Sequence, residues 1–402
     1  MIDDVWAFAP EDGSTDTLEF LTEVLRTYTA EQRLKLRKNP RRSMRYEHLL
    51  SQEQLAVAKL KARRYGQTQT MYVPIWSEQK LFSGLGTSDT VLDFQGEFIR
   101  YYQYNVADKV IIWSDWDNYI VRDISSISNT TITLSASIGV DLAKAFVMPL
   151  RQAVAYRGFN VTQDSPNESY IGAEWTLKES TDKYAWINYD IFEVDDIFEY
   201  IDIFERVVPR YKGRYVREAA PYRLSSVEGQ IMQPVEIMDN KFGPIRTETL
   251  FGYISEMSSV EFFWNTRLEV AREVRDFFGG VCGMLKSFYL PTYTNDIVPL
   301  TGTYTATTSL SIEEIGVPTD YPDRAIMIEL NDGTKTYNTI VSAVQATSEI
   351  TLTLEDAITL DTSTLKRISF LNLVRADVDT FEMTYTFGGS GTVRFNVIEV
   401  PN

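Results

Sequence analysis

The sequence predicts an α+β chain, mainly β, built as two similar halves, each with a helix, a small β-barrel or sandwich module and a closing β-hairpin. Three observations carry this. Matching words recur at a near-constant spacing, short apolar runs alternate with turn residues, and aromatic residues make up 13% of the chain. Aromatic and β-branched side chains suit the pleated surface of strands and the centres of interfaces.

The spacing is the most specific of the three. Tyr72-Val73-Pro74 is echoed by Tyr289-Leu290-Pro291, Tyr119-Ile120 by Tyr337-Asn338, and Thr131-Ile132-Thr133-Leu134 by Glu349-Ile350-Thr351-Leu352. Pro74 and Pro291 stand 217 apart (291 − 74), Tyr119 and Tyr337 218 apart (337 − 119), and Leu134 and Leu352 218 apart (352 − 134). A register kept over so long a stretch is the mark of one plan used twice. The expected division is a first repeat over 1–180, a connecting arm over 181–235 and a second repeat over 236–402.

Each repeat then reads in the same order. Residues 51–65 (SQEQLAVAKLKARRY) predict an amphipathic helix with Leu55, Ala58 and Ala62 on one face. Residues 258–278 predict its counterpart, with Phe263, Leu268, Ala271 and Phe278 dominant. The Tyr-x-Pro strand follows each helix. Inserted β modules are expected over 77–148 and 292–370. In them the apolar runs Lys109 to Trp113 and Ala325 to Leu330 each meet a polar turn, which reads as a hairpin. Thr130 to Leu134 and Ile350 to Leu354 alternate with the period of a half-buried strand. The closing hairpin of the second half is Phe381 to Phe387, then Gly388-Gly389-Ser390-Gly391, then Thr392 to Val397. Phe159-Asn160-Val161 and Trp175-Thr176-Leu177 take the same parts in the first half. Between the halves, Lys183 to Arg214 interleaves aromatics with acids and is no Gly/Ser linker. It reads as an ordered arm that crosses between modules or pairs with a neighbour.

The chemistry of the chain points away from catalysis. Net charge is −17, the wrong sign for a protein that grips phosphates. One cysteine and one histidine exclude an intrachain disulfide and a Cys/His zinc site. Neither a phosphate-cradling loop nor a nucleophile elbow occurs. His48 reads as a surface or cap residue, and Cys282, among glycines, as a buried inert thiol. Asp195, Asp196 and Glu199 form an acidic group without the glycine and closing glutamate of an EF-hand loop. A solvated face, or a patch that docks on a basic neighbour, is the expectation. Asp3 and Asp4 stand where a secretion signal needs positive charge, and no run of about 18 apolar residues occurs.

The most unusual segment runs from Gln32 to Arg45, with Arg33, Lys35, Arg37, Arg41 and Arg42 at its heart. Leu34 and Leu36 alternate with the cations, as in a strand with one charged face. The expected role of that face is contact with the acidic surface of a neighbouring subunit.

This segment carries a resemblance. Glu31-Gln32-Arg33, then Pro40-Arg41-Arg42, then a helix and Val73-Pro74-Ile75-Trp76 is similar to a pattern in tail-tip and baseplate structural proteins of tailed bacteriophages. Gly283, Phe288-Tyr289-Leu290-Pro291 and Asp296 echo its later part, although the second half lacks the Glu-Gln-Arg and Pro-Arg-Arg words. The resemblance implies a virion protein at the distal end of the tail, made in the host cytoplasm, without catalysis or cofactor. It implies a homo-oligomer around the DNA conduit: a trimeric hub or adaptor, or else a hexameric distal ring. Its partners would be tail tube, tape measure and tip or fibre proteins, with no sequence-specific nucleic acid and no stable membrane insertion. A receptor- or carbohydrate-binding module is the rival reading, with Trp113, Trp116 and Tyr119 as its sugar-stacking surface.

Overall fold

The computed structural model describes residues 4–11, 14–26, 31–37, 40–97, 99, 102, 104, 107–163, 168–178, 209–221, 229–232, 235–238, 246–249, 255–273, 277–314, 316–346, 349–386 and 389–400. An opening segment carries β1 (Thr15–Glu19) and the hairpin β2 (Thr22–Arg26) and β3 (Glu31–Lys35). Then come β4 (Arg41–Ser51), α1 (Gln52–Tyr65), β5 (Met71–Pro74), β6 (Lys80–Leu85), β7 (Val91–Asp93), β8 (Lys109–Trp113), β9 (Tyr119–Ile127), β10 (Thr131–Leu134), β11 (Leu142–Val154), β12 (Phe159–Gln163) and β13 (Glu168–Leu177). A short pair, β14 (Arg210–Tyr211) and β15 (Arg214–Tyr215), precedes β16 (Gly229–Met232) and the hairpin β17 (Val235–Met238) and β18 (Arg246–Thr249). The second half is β19 (Ser255–Trp264), α2 (Arg267–Glu273), α3 (Gly279–Val281), β20 (Ser287–Pro291), β21 (Thr303–Glu313), β22 (Ala325–Leu330), β23 (Lys335–Gln345), β24 (Glu349–Asp361), β25 (Leu365–Ala376), β26 (Thr380–Tyr385) and β27 (Gly391–Glu399).

The fold is mainly β, with one prominent helix and an extensive antiparallel sheet. In the first half β4 pairs with β13, β13 with β12, β11 with β13, β5, β8 and also β6, which has no counterpart among the described strands of the second half, β8 with β9, β9 with β10, and β10 with β7. In the second half β19 pairs with β27, β27 with β26, β25 with β27, β20 and β22, β22 with β23, β23 with β24, and β24 with β21. Registers correspond as well. Pro74 faces Leu150 and Pro291 faces Leu371. Ile127 faces Ile132 and Gln345 faces Ile350. Two isolated parallel bridges, Val5 to Tyr72 and Val216 to Tyr289, seat a chain segment beside each Tyr-x-Pro strand. In both, the next residue, Trp6 or Arg217, donates its backbone N–H to the tyrosine carbonyl at 2.8 Å. Among the described residues no ladder joins β7 to β6 or β21 to β20, so neither module is a closed barrel.

Helix α1 begins where its sequence signals a start. Ser51 accepts the N–H of Gln54 at 3.4 Å, and the Gln54 side chain accepts the N–H of Ser51 at 2.9 Å. This reciprocal box satisfies two otherwise orphaned donors. Gly66 ends the helix at φ 58°, where a side chain would be strained. Ser51→Ala is expected to cost about 1 kcal/mol, and Ser51→Asp much less, in urea unfolding followed by circular dichroism.

The predicted helix over 258–278 is corrected. Its front is strand β19, and the helix starts only at Arg267. Val260, Phe262 and Trp264 are buried while Phe263 between them is exposed, the period of a strand rather than of a helix. The true start is again capped: Thr266 accepts the N–H of Glu269, whose carboxylate accepts the N–H of Thr266, both at 3.2 Å.

Strand β1 joins the halves. It pairs with β4 on one side and with β26 on the other. Its Leu18, with the following Phe20, is buried in the core of the second half, among Phe278, Phe288, Phe381 and Phe395. A reverse contact comes from α2, whose Leu268 packs on the module core around Phe94, Tyr104 and Ile112. Arg267 beside it donates to the Gln79 carbonyl at 2.7 Å. Most of the predicted arm, including Asp195, Asp196 and Glu199, lies outside the described residues. Its end does not: Val216 is buried with Tyr289, Met327 and Leu373 and so belongs to the second half.

Candidate assembly surfaces

The basic segment is folded the opposite way from the sequence expectation. On the β2–β3 hairpin Leu25 and Leu34 are exposed, as are the neighbouring Leu21 and Leu36, while Arg26, Glu31 and Arg33 turn toward the second half. Arg33 donates to the Leu285 carbonyl at 3.0 Å. The Glu31 carboxylate accepts Arg375 Nε at 2.9 Å and Nη2 at 3.2 Å, with Arg26 at 3.0 Å and Arg33 at 3.8 Å. Burial pushes the Glu31 carboxyl up, but the surrounding guanidiniums, Arg375 foremost, hold it below the ordinary carboxylate range. Arg37 and Arg41 both reach Glu19, at 3.2 and 3.5 Å. Lys35 is exposed on the hairpin.

Arg42 is the clearest correction among the candidate contact residues. It is a core group with 2% of its surface exposed. Its Nε donates to both oxygens of the equally buried Asp16, at 2.8 and 3.0 Å, and its Nη2 to one of them. Glu78 lies 3.8 Å away. Burial opposes the charge on Arg42, and Asp16 more than restores it, so its pKa is raised. Asp16 on β1 and Arg42 on β4 therefore lock the strand that joins the halves. Asp379 fastens the same region from the other side, since it accepts the N–H of Thr22 at 2.5 Å and of Met284 at 3.0 Å. Neither Glu31–Arg375 nor Asp379 was found from sequence. Their partners are 344 and 357 residues distant, and no local pattern marks them.

His48 is also corrected: it is fully buried, not a surface or cap residue. Tyr46, His48 and Leu50 alternate on the inner face of β4, so the histidine follows the strand period into the core. Its Nδ1 donates to the Ala9 carbonyl at 3.0 Å, and its Nε2 accepts the Trp6 indole N–H at 3.0 Å. Cys282 is buried and its thiol donates to the Gly279 carbonyl. Among the described residues no group of three or more His, Cys, Asp or Glu could hold a metal. No described helix is long and apolar enough to cross a membrane.

The aromatics of the sugar-binding reading are largely used inside the protein. Trp113 donates to the Ala7 carbonyl at 2.8 Å and meets Trp76 edge to face. Trp116 stacks on Phe8 with an interplanar angle of 12°. Several grooves remain open, among them a mainly apolar one of about 160 Å³ lined by Ala9, Trp76, Trp113, Phe146 and Tyr385. One groove of about 480 Å³ lies over Arg45, Glu47, Asn160, Thr162 and Glu174. Another of about 680 Å³ lies over Ser258, Thr380, Glu382, Arg394 and Asn396. They occupy corresponding places, on β4–β13–β12 and on β19–β27–β26. No protein-family model and no curated protein matches the chain in sequence.

Proposed function

We propose that the chain is a structural, non-enzymatic subunit of a tailed-phage tail tip. In this reading it is a hub or adaptor between tail tube and tip, formed by duplication of one folding plan and assembled as a closed trimer around the DNA conduit. The observation that carries the duplication is the corresponding succession of ladders, together with the two bridges at Tyr72 and Tyr289. Three chains with two like modules each present six near-equivalent surfaces, which fits a sixfold tube to a threefold tip. Closed cyclic assembly needs only complementary patches on each subunit.

The motif words that carry the phage resemblance acquire a physical reason. Glu31 of Glu-Gln-Arg anchors the hairpin on Arg375, and Arg42 of Pro-Arg-Arg anchors β1 on β4. Both are junction residues between the halves. The exposed leucines of the same hairpin, rather than its arginines, are then the surface for neighbours such as tube, tape measure or fibre proteins. Native mass spectrometry of the purified chain is expected to give three copies. Six copies would favour the distal ring, and a monomer at every concentration would overturn the ring reading. Gold labelling of the chain on intact particles should mark the distal end of the tail; label confined to the capsid would sink the location.

A further inference from the structure

We propose that successive copies of this chain join edge to edge, with β16 of one copy antiparallel to β12 of the next, in the register that β1 uses on β26 within a chain. The inference deepens the ring reading above and rests on it for the number of subunits that close.

The chain contains its own template. On one side β1 lies against β4, with Thr15 to Leu18 facing Arg45 to Arg42. In the second half β16 lies against β19 in the same way, with Gly229 to Met232 facing Ser258 to Ser255. Each of these strands is followed at once by a two-stranded hairpin, β2–β3 or β17–β18. The outer edge of β1 is covered by β26. Among the described residues β16 has no strand on its outer edge. The strand that corresponds to β26 in the first half is β12, and among the described residues it pairs with β13 alone. One half therefore offers the strand that seeks a partner, and the other offers the partner's position, still open.

The register follows from the ladders. Thr162 faces Tyr170 as Met383 faces Val393, and the β4–β13 and β19–β27 pairings place Tyr170 and Val393 at corresponding positions. Within the chain Asp16 faces Met383, Thr17 faces Glu382 and Leu18 faces Phe381. The copy made between chains then sets Gln230 against Thr162, Ile231 against Val161, and Met232 against Asn160. Ile231 is 75% exposed and Val161 43% exposed, so two apolar side chains in water become direct cross-strand neighbours. The composition of the edges agrees. Exposed edge strands are normally blunted by charge or proline. Neither Gly229-Gln230-Ile231-Met232 nor Phe159-Asn160-Val161-Thr162-Gln163 contains a charged residue or a proline.

A double variant, Ile231→Cys with Val161→Cys, tests the register directly. Facing strand residues are close enough for a disulfide, and the buried Cys282 is out of reach. Mild oxidation should give chains linked into a closed trimer on non-reducing gels, while either single variant and the off-register pair Ile231→Cys with Phe159→Cys should stay unlinked. Separately, Ile231→Lys should reduce the native mass to that of one chain without altering the unfolding midpoint. If a threefold assembly persists in Ile231→Lys and no cross-link forms in the double variant, the edge pairing is wrong while the ring reading stands. A linked species that closes at two chains would keep the pairing and overturn the trimer. A native monomer at every concentration would overturn both.

Discussion

Asp16→Ala is expected to destabilise the protein by about 3–5 kcal/mol, the usual cost of leaving one charge of a buried pair without its partner. Asp16 and Arg42 side chains are each 3% exposed, so water cannot replace the lost carboxylate. Glu78, at 3.8 Å from the guanidinium, recovers part of the loss and places the expectation at the lower end. The nearby pair Arg45–Glu47 is the control. Its side chains are 69% and 57% exposed, and Glu47→Ala should change stability by less than about 0.5 kcal/mol. Chemical unfolding of the two variants beside the parent checks both figures. A loss below about 1 kcal/mol for Asp16→Ala would show that the pair does not lock β1. Because β1 carries ladders to both halves, the same variant should loosen their junction, seen as faster amide exchange in β4 and β26 together.

The second large effect is a dependence on pH set by His48. Burial lowers its pKa from the ordinary 6.5 to about 4 in the folded chain, with only partial relief from the bond to Ala9. Above pH 6.5 the imidazole is neutral in both states, and the folded protein has the full stability of the buried ring. As pH falls from 6.5 toward 4, the unfolded chain takes up a proton that the folded chain refuses. Stability then drops by about 1.4 kcal/mol for each pH unit, or roughly 3 kcal/mol over the window. His48→Gln keeps an acceptor for the Trp6 indole but cannot titrate. Between pH 7 and 5 the parent should lose about 2 kcal/mol more than His48→Gln. Parallel curves would mean that His48 is protonated, or solvated, in the native state. Carboxylates contribute alike to both proteins and cancel in the difference.

The parts of this fold that could be read from sequence are those specified by neighbours in sequence. Ser51 and Gln54 write the start of α1 within four residues. The apolar runs at Lys109 and Ala325 announce the two central hairpins, β8–β9 and β22–β23. The errors occur where one local pattern runs into another. Val260, Phe262 and Trp264 have the strand period, but they precede a true helix closely enough to look like its first turns. His48 was misplaced because Glu47 and Leu49 on the outer face mask the inward row of Tyr46, His48 and Leu50. Val5 and Val216 each sit beside a Tyr-x-Pro strand, and in the sequence Ala9-Pro10 and Ala220-Pro221 follow them at the same interval. The junction chemistry has no such mark. Which face of the basic hairpin turns inward depends on Arg375, Leu285 and Asp379, and their approach is a property of the folded chain alone.

The sharing of β1 between halves imposes an order on synthesis. Residues near its end, such as Thr22, meet Asp379, 357 positions later, so the strand stays open on one side until Asp379 has left the ribosome. Contacts this remote close slowly and late. In that interval a nascent β1 can pair with the β26 of a sister chain whose own β1 is not yet seated. The geometry that completes one molecule is thus also a route to exchange of the opening strand between molecules. Fast synthesis of the segment that carries β26, or a low concentration of chains, favours the correct closure.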